Sequence, residues 1–182
     1  RIEAGALDIE QEQIHFHLNA EGRPTDIYFE PMTDANHLIE EFMLLANRTI
    51  ATALSQTGKE TVYRVHDEPD KHKLSLIQKF EKNFGNRVPR QTIETLIVRA
   101  MAKAVYSTNN IGHYGLAFDY YTHFTSPIRR YPDMIVHRLV AKYILGERGV
   151  KIDNDLEHAC DHLSAMEQEA TQVEWNSQKD YQ

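Results

Sequence analysis

The sequence predicts an α+β fold, a mixed sheet packed by several helices. Two short segments near the start, "IHFHL" and "DIYFE", alternate apolar and polar residues with the period of two that marks half-buried strands. Most of the remaining chain repeats its apolar residues at the helical period. Strands come first and helices dominate afterwards, which is the order of an α+β domain.

In "IHFHL", Ile14, Phe16 and Leu18 oppose His15 and His17, and "NAEGRP" supplies turn residues before "DIYFE". Residues 6–30 therefore read as strand, turn, strand. A helix follows, with Thr33 or Asp34 as its N-cap and Ile39, Phe42, Met43, Ala46, Ile50 and Ala53 at helical spacing. "TVYRVHDEP" is β-branched and aromatic until Pro69 breaks it, a strand running into a loop. "KHKLSLIQKFEKNFG" places Leu74, Ile77, Phe80 and Phe84 on one stripe and stops at Gly85. "TIETLIVRAMAKAVYS" predicts one strongly apolar helix, with Ile93, Leu96, Ile97, Ala100, Met101, Ala104 and Val105 toward the core. "NNIGHYG" is loop and "LAFDYY" has strand character. "PDMIVHRLVAKYILG" predicts a helix opened by Pro132 and closed before Gly146. Residues 154–181 predict a long last helix with Leu156, Cys160, Leu163, Ala170 and Val173 along one seam.

Length and composition narrow the function classes. A chain of 182 residues with 41% hydrophobic and 26% charged residues is ordinary for one globular domain, or most of one. Its apolar runs are too short to span a membrane, and "RIEAGALDIE" has no signal-peptide pattern. Cys160 is the single cysteine, which excludes an internal disulfide and fits a reducing, cytoplasmic setting. The net charge of −7 argues against a chain-wide electrostatic grip on nucleic acid, so any such grip is local. The first residue is not Met, and "VEWNSQKDYQ" continues a helical pattern without a stop signal. Both features indicate a piece of a longer polypeptide.

The local grip is sought in "THFTSPIRRYPD", residues 122–133. Adjacent arginines are ordinarily just solvated. Here Pro127 and Pro132 stiffen both flanks, and Thr125, Ser126 and the start of a helix offer hydroxyls, free N–H groups and a positive dipole end. A guanidinium is a planar fork matched to phosphate oxygens. Tyr114, Tyr120, Tyr121, Phe124 and Tyr131 lie close in sequence, and aromatic faces stack bases of single strands at about 1–3 kcal/mol each. A phosphate-rich ligand carrying bases satisfies all of these features together.

The block "GHYGLAFDYYTHFTSPIRRYPDMIVHRLV" resembles the signature of the catalytic domain of the ribonuclease II/ribonuclease R family of 3′-to-5′ exoribonucleases. "GALDIE", "HLIEEFMLLAN", "YRVHDEP" and "AMAKAVYS" resemble further motifs of that domain in the same order. The likeness covers essentially the whole chain and is strongest to the bacterial ribonuclease R branch. It implies that residues 1–182 are the C-terminal portion of an RNB-type catalytic domain, with a loop missing near residues 85–92. The activity implied is processive hydrolysis of single-stranded RNA to nucleoside 5′-monophosphates with a divalent metal.

The resemblance also assigns roles. The first arginine after "SPI", Arg129, is the residue expected to stabilise the phosphate under attack, because phosphoryl transfer builds charge on oxygen. Arg130 is the weaker candidate, with a structural ion pair as its alternative. Ser126 and Tyr114 belong to the same block and are expected at the RNA. Glu40, first of the "EE" pair, is expected to accept the ribose 2′-hydroxyl, the group DNA lacks. Its alternative is a solvated helix face. Glu174 matches a family glutamate less securely. The aromatic that some members place after "GAL" is Ile9 here, which puts that stacking contact in doubt.

The family's metal-binding aspartates precede "GAL", and no match to them occurs in this sequence. No metal ligand is assigned; magnesium (Mg2+) is expected for the full-length enzyme with ligands outside this chain, and the piece alone is expected to be inactive. "DEPD" and "DNDLE" read as loop and cap. His15 with His17, and His158 with His162, have spacings that can bind a transition metal, although ten histidines produce such pairs by chance. His66, His113 and His123 are expected to orient loops. The partners implied are single-stranded RNA and flanking RNA-binding domains of the same polypeptide, with no membrane and no obligate oligomer. Two other classes remain open: a relative that binds RNA without cutting it, and a protein-interaction domain.

Overall fold

The computed structural model describes residues 13–84, 88, 92–93, 96–97 and 100–179. Strands β1 (Gln13–Leu18) and β2 (Pro24–Glu30) form an antiparallel hairpin with Ile14 opposite Phe29 and His15 opposite Tyr28. The Asn19 carboxamide closes its turn by accepting from the Glu21 and Arg23 N–H groups at 3.1 and 2.8 Å. The strand–turn–strand expectation holds over these residues; residues 6–12 lie outside the described ones.

Helix α1 (Asp34–Ser55) starts at the N-cap Thr33, which exchanges hydrogen bonds with Asn36 in a capping box. Its buried side is Leu44, Asn47, Ala51 and Leu54, while Ile39, Phe42 and Met43 of the sequence stripe are exposed. Helix α2 (Lys71–Phe84) forms where the periodicity puts it.

The segment 92–107 departs from its expectation. Residues 92, 93, 96, 97 and 100 are helical, but Val105–Ser107 is strand β4, antiparallel to β3 (Tyr63–Val65), with Arg64 opposite Tyr106. Val105 and Tyr106 suit a strand, and pairing with a distant edge outweighs the local helical period. "LAFDYY" is not a strand either. Tyr114–Leu116 is a 3₁₀ turn ended by Ala117 in the left-handed region, φ 54°, and Phe118 makes only an isolated bridge to His113. Among the described residues the sheet content is thus two antiparallel pairs, and the α+β class stands.

Helix α3 (Tyr131–Tyr143) and helix α4 (Leu156–Lys179) complete the fold. The core gathers Leu54 of α1, Val62, Tyr106 of β4, Ile135, Val136 and Leu139 of α3, and Leu156 and Cys160 of α4. Truncating Leu139, which has no exposed surface, to Ala would cost about 2–5 kcal/mol. The α4 seam is buried only in its first turns. Leu156, Cys160 and Ser164 are inside, whereas Ala170 and Val173 are exposed. No helix among the described residues is long and apolar enough to cross a membrane.

Candidate functional site

The "TSPIRRYPD" segment folds as a turn feeding α3. The Arg129 and Arg130 N–H groups both donate to the Ser126 carbonyl, at 3.3 and 3.1 Å. Arg130 is the N-cap and Pro132 sits in the first turn, where a missing N–H costs nothing. Asp133 is fully buried beneath the turn. Its carboxylate accepts from the Ser126 N–H at 2.7 Å, Arg130 Nε at 2.9 Å and Arg130 Nη2 at 2.8 Å. The structural alternative for Arg130 is therefore what the turn displays: its guanidinium is engaged inward. Arg129 differs. Its guanidinium is exposed, meets Ser126 Oγ at 3.5 Å, and pairs with no carboxylate among the described residues.

The strap before the turn is bound to α1 by Asn47. The Asn47 Oδ1 accepts the Phe124 and Thr125 N–H groups at 2.9 and 3.2 Å, and Nδ2 donates to the Tyr121 hydroxyl at 3.1 Å. Thr122 Oγ1 donates to the Val62 carbonyl at 2.7 Å. From α3, the His137 ring stacks on Phe124 at 4.1 Å between centroids and its Nε2 meets the Phe124 carbonyl at 2.9 Å. Arg129 thus stands on a bend fixed from both sides.

Glu40 is half-buried on α1, seven positions before Asn47. Two helical turns separate them, so both lie on one face about 10 Å apart along the axis. Tyr114 is exposed on the 3₁₀ turn, its N–H donating to the His66 carbonyl at 2.9 Å. It borders a cavity of about 490 Å³ shared with His66, Asp67, Glu68, His113 and Asp119. Glu174 is exposed on α4, ten residues past the buried Ser164, or about 15 Å farther along. No hydrogen bond or ion pair among the described residues joins Glu174 to the Arg129 turn.

Beneath the turn lies a polar layer held neutral or paired. The Arg64 guanidinium forks onto Glu167 at 2.6 and 3.1 Å and lies 4.5 Å above the Tyr106 ring. The Tyr106 hydroxyl meets His123 Nδ1 at 2.8 Å. Burial pushes the Tyr106 phenol up to about 12 and the His123 imidazole down to about 2, the latter helped by Arg130 and Arg64, so the phenol keeps its proton and donates. His113 is lowered to about 4 by burial and by the His66 ring at 4.9 Å. His66 Nδ1 accepts the Gly115 N–H at 3.1 Å, so its proton sits on Nε2, facing the Ala102 carbonyl at 2.8 Å; burial lowers its pKa. A Cβ on residue 115 would come within 2.9 Å of that nitrogen, so the approach requires glycine. These three histidines are uncharged near neutrality, and the His66 ring ties a loop through the Gly115 N–H. The cationic group left unpaired on the turn is Arg129.

Sequence reasoning brought out Arg129 but missed Asn47, Asp133 and the Arg64–Glu167 pair. A polar residue inside the 44, 47, 51, 54 stripe was the available signal for Asn47. The i, i+3 spacing of opposite charges was the signal for Arg130 with Asp133. His15 and His17 flank the Tyr28 ring at 5.3 and 4.4 Å, and His158 and His162 are exposed on either side of buried Cys160. Among the described residues no three His, Cys, Asp or Glu side chains converge to hold a metal ion.

Comparison with known proteins gives a consistent picture. The sequence profile of the RNB domain matches residues 1–146. Ribonuclease R of Aquifex aeolicus is 38% identical over 201 aligned residues, covering 96% of this chain and 28% of that protein. The alignment is longer than the 182-residue chain, so that relative carries residues this chain lacks; the expected gap near 85–92 falls mostly outside the described residues. The Mycoplasma genitalium RNase R, solved in complex with ribose methylated single-stranded RNA, superposes with a TM-score of 0.86 at 25% identity, covering 98% of this chain and 32% of that one. Yeast Ssd1, described as a pseudonuclease, superposes with a TM-score of 0.64 at 25% identity over 73% of this chain and 20% of its own. The chain spans about 28% of the length of the first of these relatives.

Proposed function

Because this chain belongs to the RNB-domain family, we propose that it supplies the phosphate-gripping part of a 3′-to-5′ exoribonuclease active site. The observation that carries the reading is Arg129. It is an unpaired guanidinium on a bend whose neighbours Ser126, Arg130 and Asp133 are bonded to one another. Such a group meets the charge that grows on a phosphoryl oxygen without first breaking a protein ion pair. Glu40 accepts the 2′-hydroxyl of a terminal ribose, which favours RNA over DNA. Tyr114 offers a ring for stacking and Ser126 a hydroxyl to a phosphate oxygen. Arg130 acts on the RNA only through the turn it secures, and Glu174 contacts a more remote part of the strand.

The complete reaction in this reading is processive hydrolysis to nucleoside 5′-monophosphates in the cytoplasm, aided by flanking RNA-binding domains. Magnesium would supply an activated water from ligands outside these residues, while Arg129 of this chain meets the phosphate oxygen directly. The decisive experiment uses the full-length protein on a single-stranded oligoribonucleotide labelled at its internal phosphates, with a matched oligomer carrying 2′-deoxy sugars at its 3′ end. Release of 5′-mononucleotides from the all-ribose strand, with Glu40→Gln narrowing the gap between the two, supports the reading. Equal turnover of both strands by the parent protein contradicts it.

A second reading, RNA binding without cleavage, is favoured by the likeness to the pseudonuclease Ssd1. Tight RNA binding with no mononucleotide release in the same assay would select it.

A further inference from the structure

Asn47 is buried, with 3% of its surface exposed, yet sits in the middle of a long amphipathic helix where an apolar residue would pack more cheaply. All its hydrogen bonds described above leave the helix and reach a strap 74 to 78 residues away. They satisfy two consecutive backbone N–H groups, Phe124 and Thr125, immediately before Ser126. One carboxamide therefore ties the base of the Arg129 turn to α1, the helix that presents Glu40 two turns away on the same face. The Phe124 and Thr125 N–H groups, which can only donate, fix which way the amide faces: Oδ1 accepts both, leaving Nδ2 to donate to the Tyr121 hydroxyl.

We propose that Asn47 is a positioning residue that holds the Arg129 turn and the Glu40 helix in register, so that phosphate and ribose of one nucleotide are met together. The inference rests on the roles proposed above for Arg129 and Glu40. Asn47 touches neither RNA nor the reacting phosphate. Its influence runs through Phe124 and Thr125, and small displacements of a reacting group are costly, on the order of 100-fold for about 1 Å.

The test is a double-mutant cycle in the full-length protein, read as the single-turnover rate at saturating single-stranded RNA. Asn47→Leu keeps the volume and removes every polar contact. We expect it to slow the parent enzyme about 100-fold and to slow an Arg129→Ala enzyme less than about threefold, since no guanidinium remains to be misplaced. Asn47→Asp keeps an acceptor for both N–H groups, so its loss should stay within about tenfold of the parent. If Asn47→Leu does not fold, Asn47→Ser takes its place in the cycle. Equal slowing in both backgrounds, or equal loss in the Asp and Leu variants, overturns the positioning role while leaving the proposed function intact. An Arg129→Ala enzyme as fast as its parent overturns both.

Discussion

Arg130 and Asp133 form a two-pronged ion pair, Nε to Oδ2 at 2.9 Å and Nη2 to Oδ1 at 2.8 Å, with the carboxylate fully buried. Its consequence is a division of labour between neighbouring arginines. One is held by the fold, and the other is exposed without a carboxylate partner among the described residues.

Asp133→Ala should accordingly destabilise the protein by about 1–3 kcal/mol, because the Ser126 N–H and a partly buried guanidinium lose their acceptor. Asp133→Asn keeps an oxygen for Ser126 and should cost less. Urea unfolding midpoints of the full-length variants check the order; a larger loss for Asn would contradict it.

The histidine layer sets an acid limit. His113, lowered to about 4, and His66, lowered by burial, take up protons near 6.5 when unfolded but resist doing so when folded. The unfolded state binds more protons in this window, so stability is intact above pH 6.5 and falls toward pH 4, by up to about 1.4 kcal/mol per pH unit for His113, with His66 adding in the same direction. Melting curves between pH 7.5 and 5 should show the decline, and His113→Asn should make it shallower, leaving the shares of His66 and His123. An identical slope in the variant would rule His113 out as a contributor.

Cys160 has no exposed surface, and burial, followed by Glu157, pushes its thiol up to about 12. Iodoacetamide at pH 8 should label the folded protein at least about 100-fold more slowly than the urea-unfolded one. Comparable rates would show the α4 contact with the core to be open.

Ala117 holds φ 54° and ψ 44° at the end of the 3₁₀ turn that carries Tyr114. The left-handed region costs an alanine about 1–2 kcal/mol, part of which glycine returns through its freer unfolded state. Ala117→Gly should raise stability by a net ~0.5 kcal/mol, seen as a higher urea midpoint. A lower midpoint would mean that the Ala117 methyl packs more than it strains.

How far the sequence could be read followed the range of the interactions. A cap of α1 at Thr33 or Asp34 was legible from local residue types, and the structure gives it to Thr33, whose partner Asn36 is three residues away. The Pro-framed turn was legible too, since prolines act locally. Strand β4 was not, because Tyr63 pairs with Ser107 across 44 positions and nothing between them reports the pairing. The partners of Asn47 were hidden for the same reason, its acceptor serving N–H groups 77 and 78 residues on, and only its polarity within an apolar helix hinted at a role. The apolar stripe of α1 at Ile39, Phe42 and Met43 gave the helix but not its buried side, because periodicity alone does not say which neighbours cover a face.

Arg129 itself gives the most direct test. In the full-length protein, Arg129→Ala should lower the single-turnover rate on single-stranded RNA about 10²–10³-fold, with Arg129→Lys recovering part of it, because an exposed guanidinium is lost from the reacting phosphate alone. The melting midpoint should stay within about 1 °C, since that side chain supports nothing buried. A variant that turns over RNA as fast as the parent, or that slows only in proportion to lost stability, would contradict the assignment of Arg129 to the phosphate.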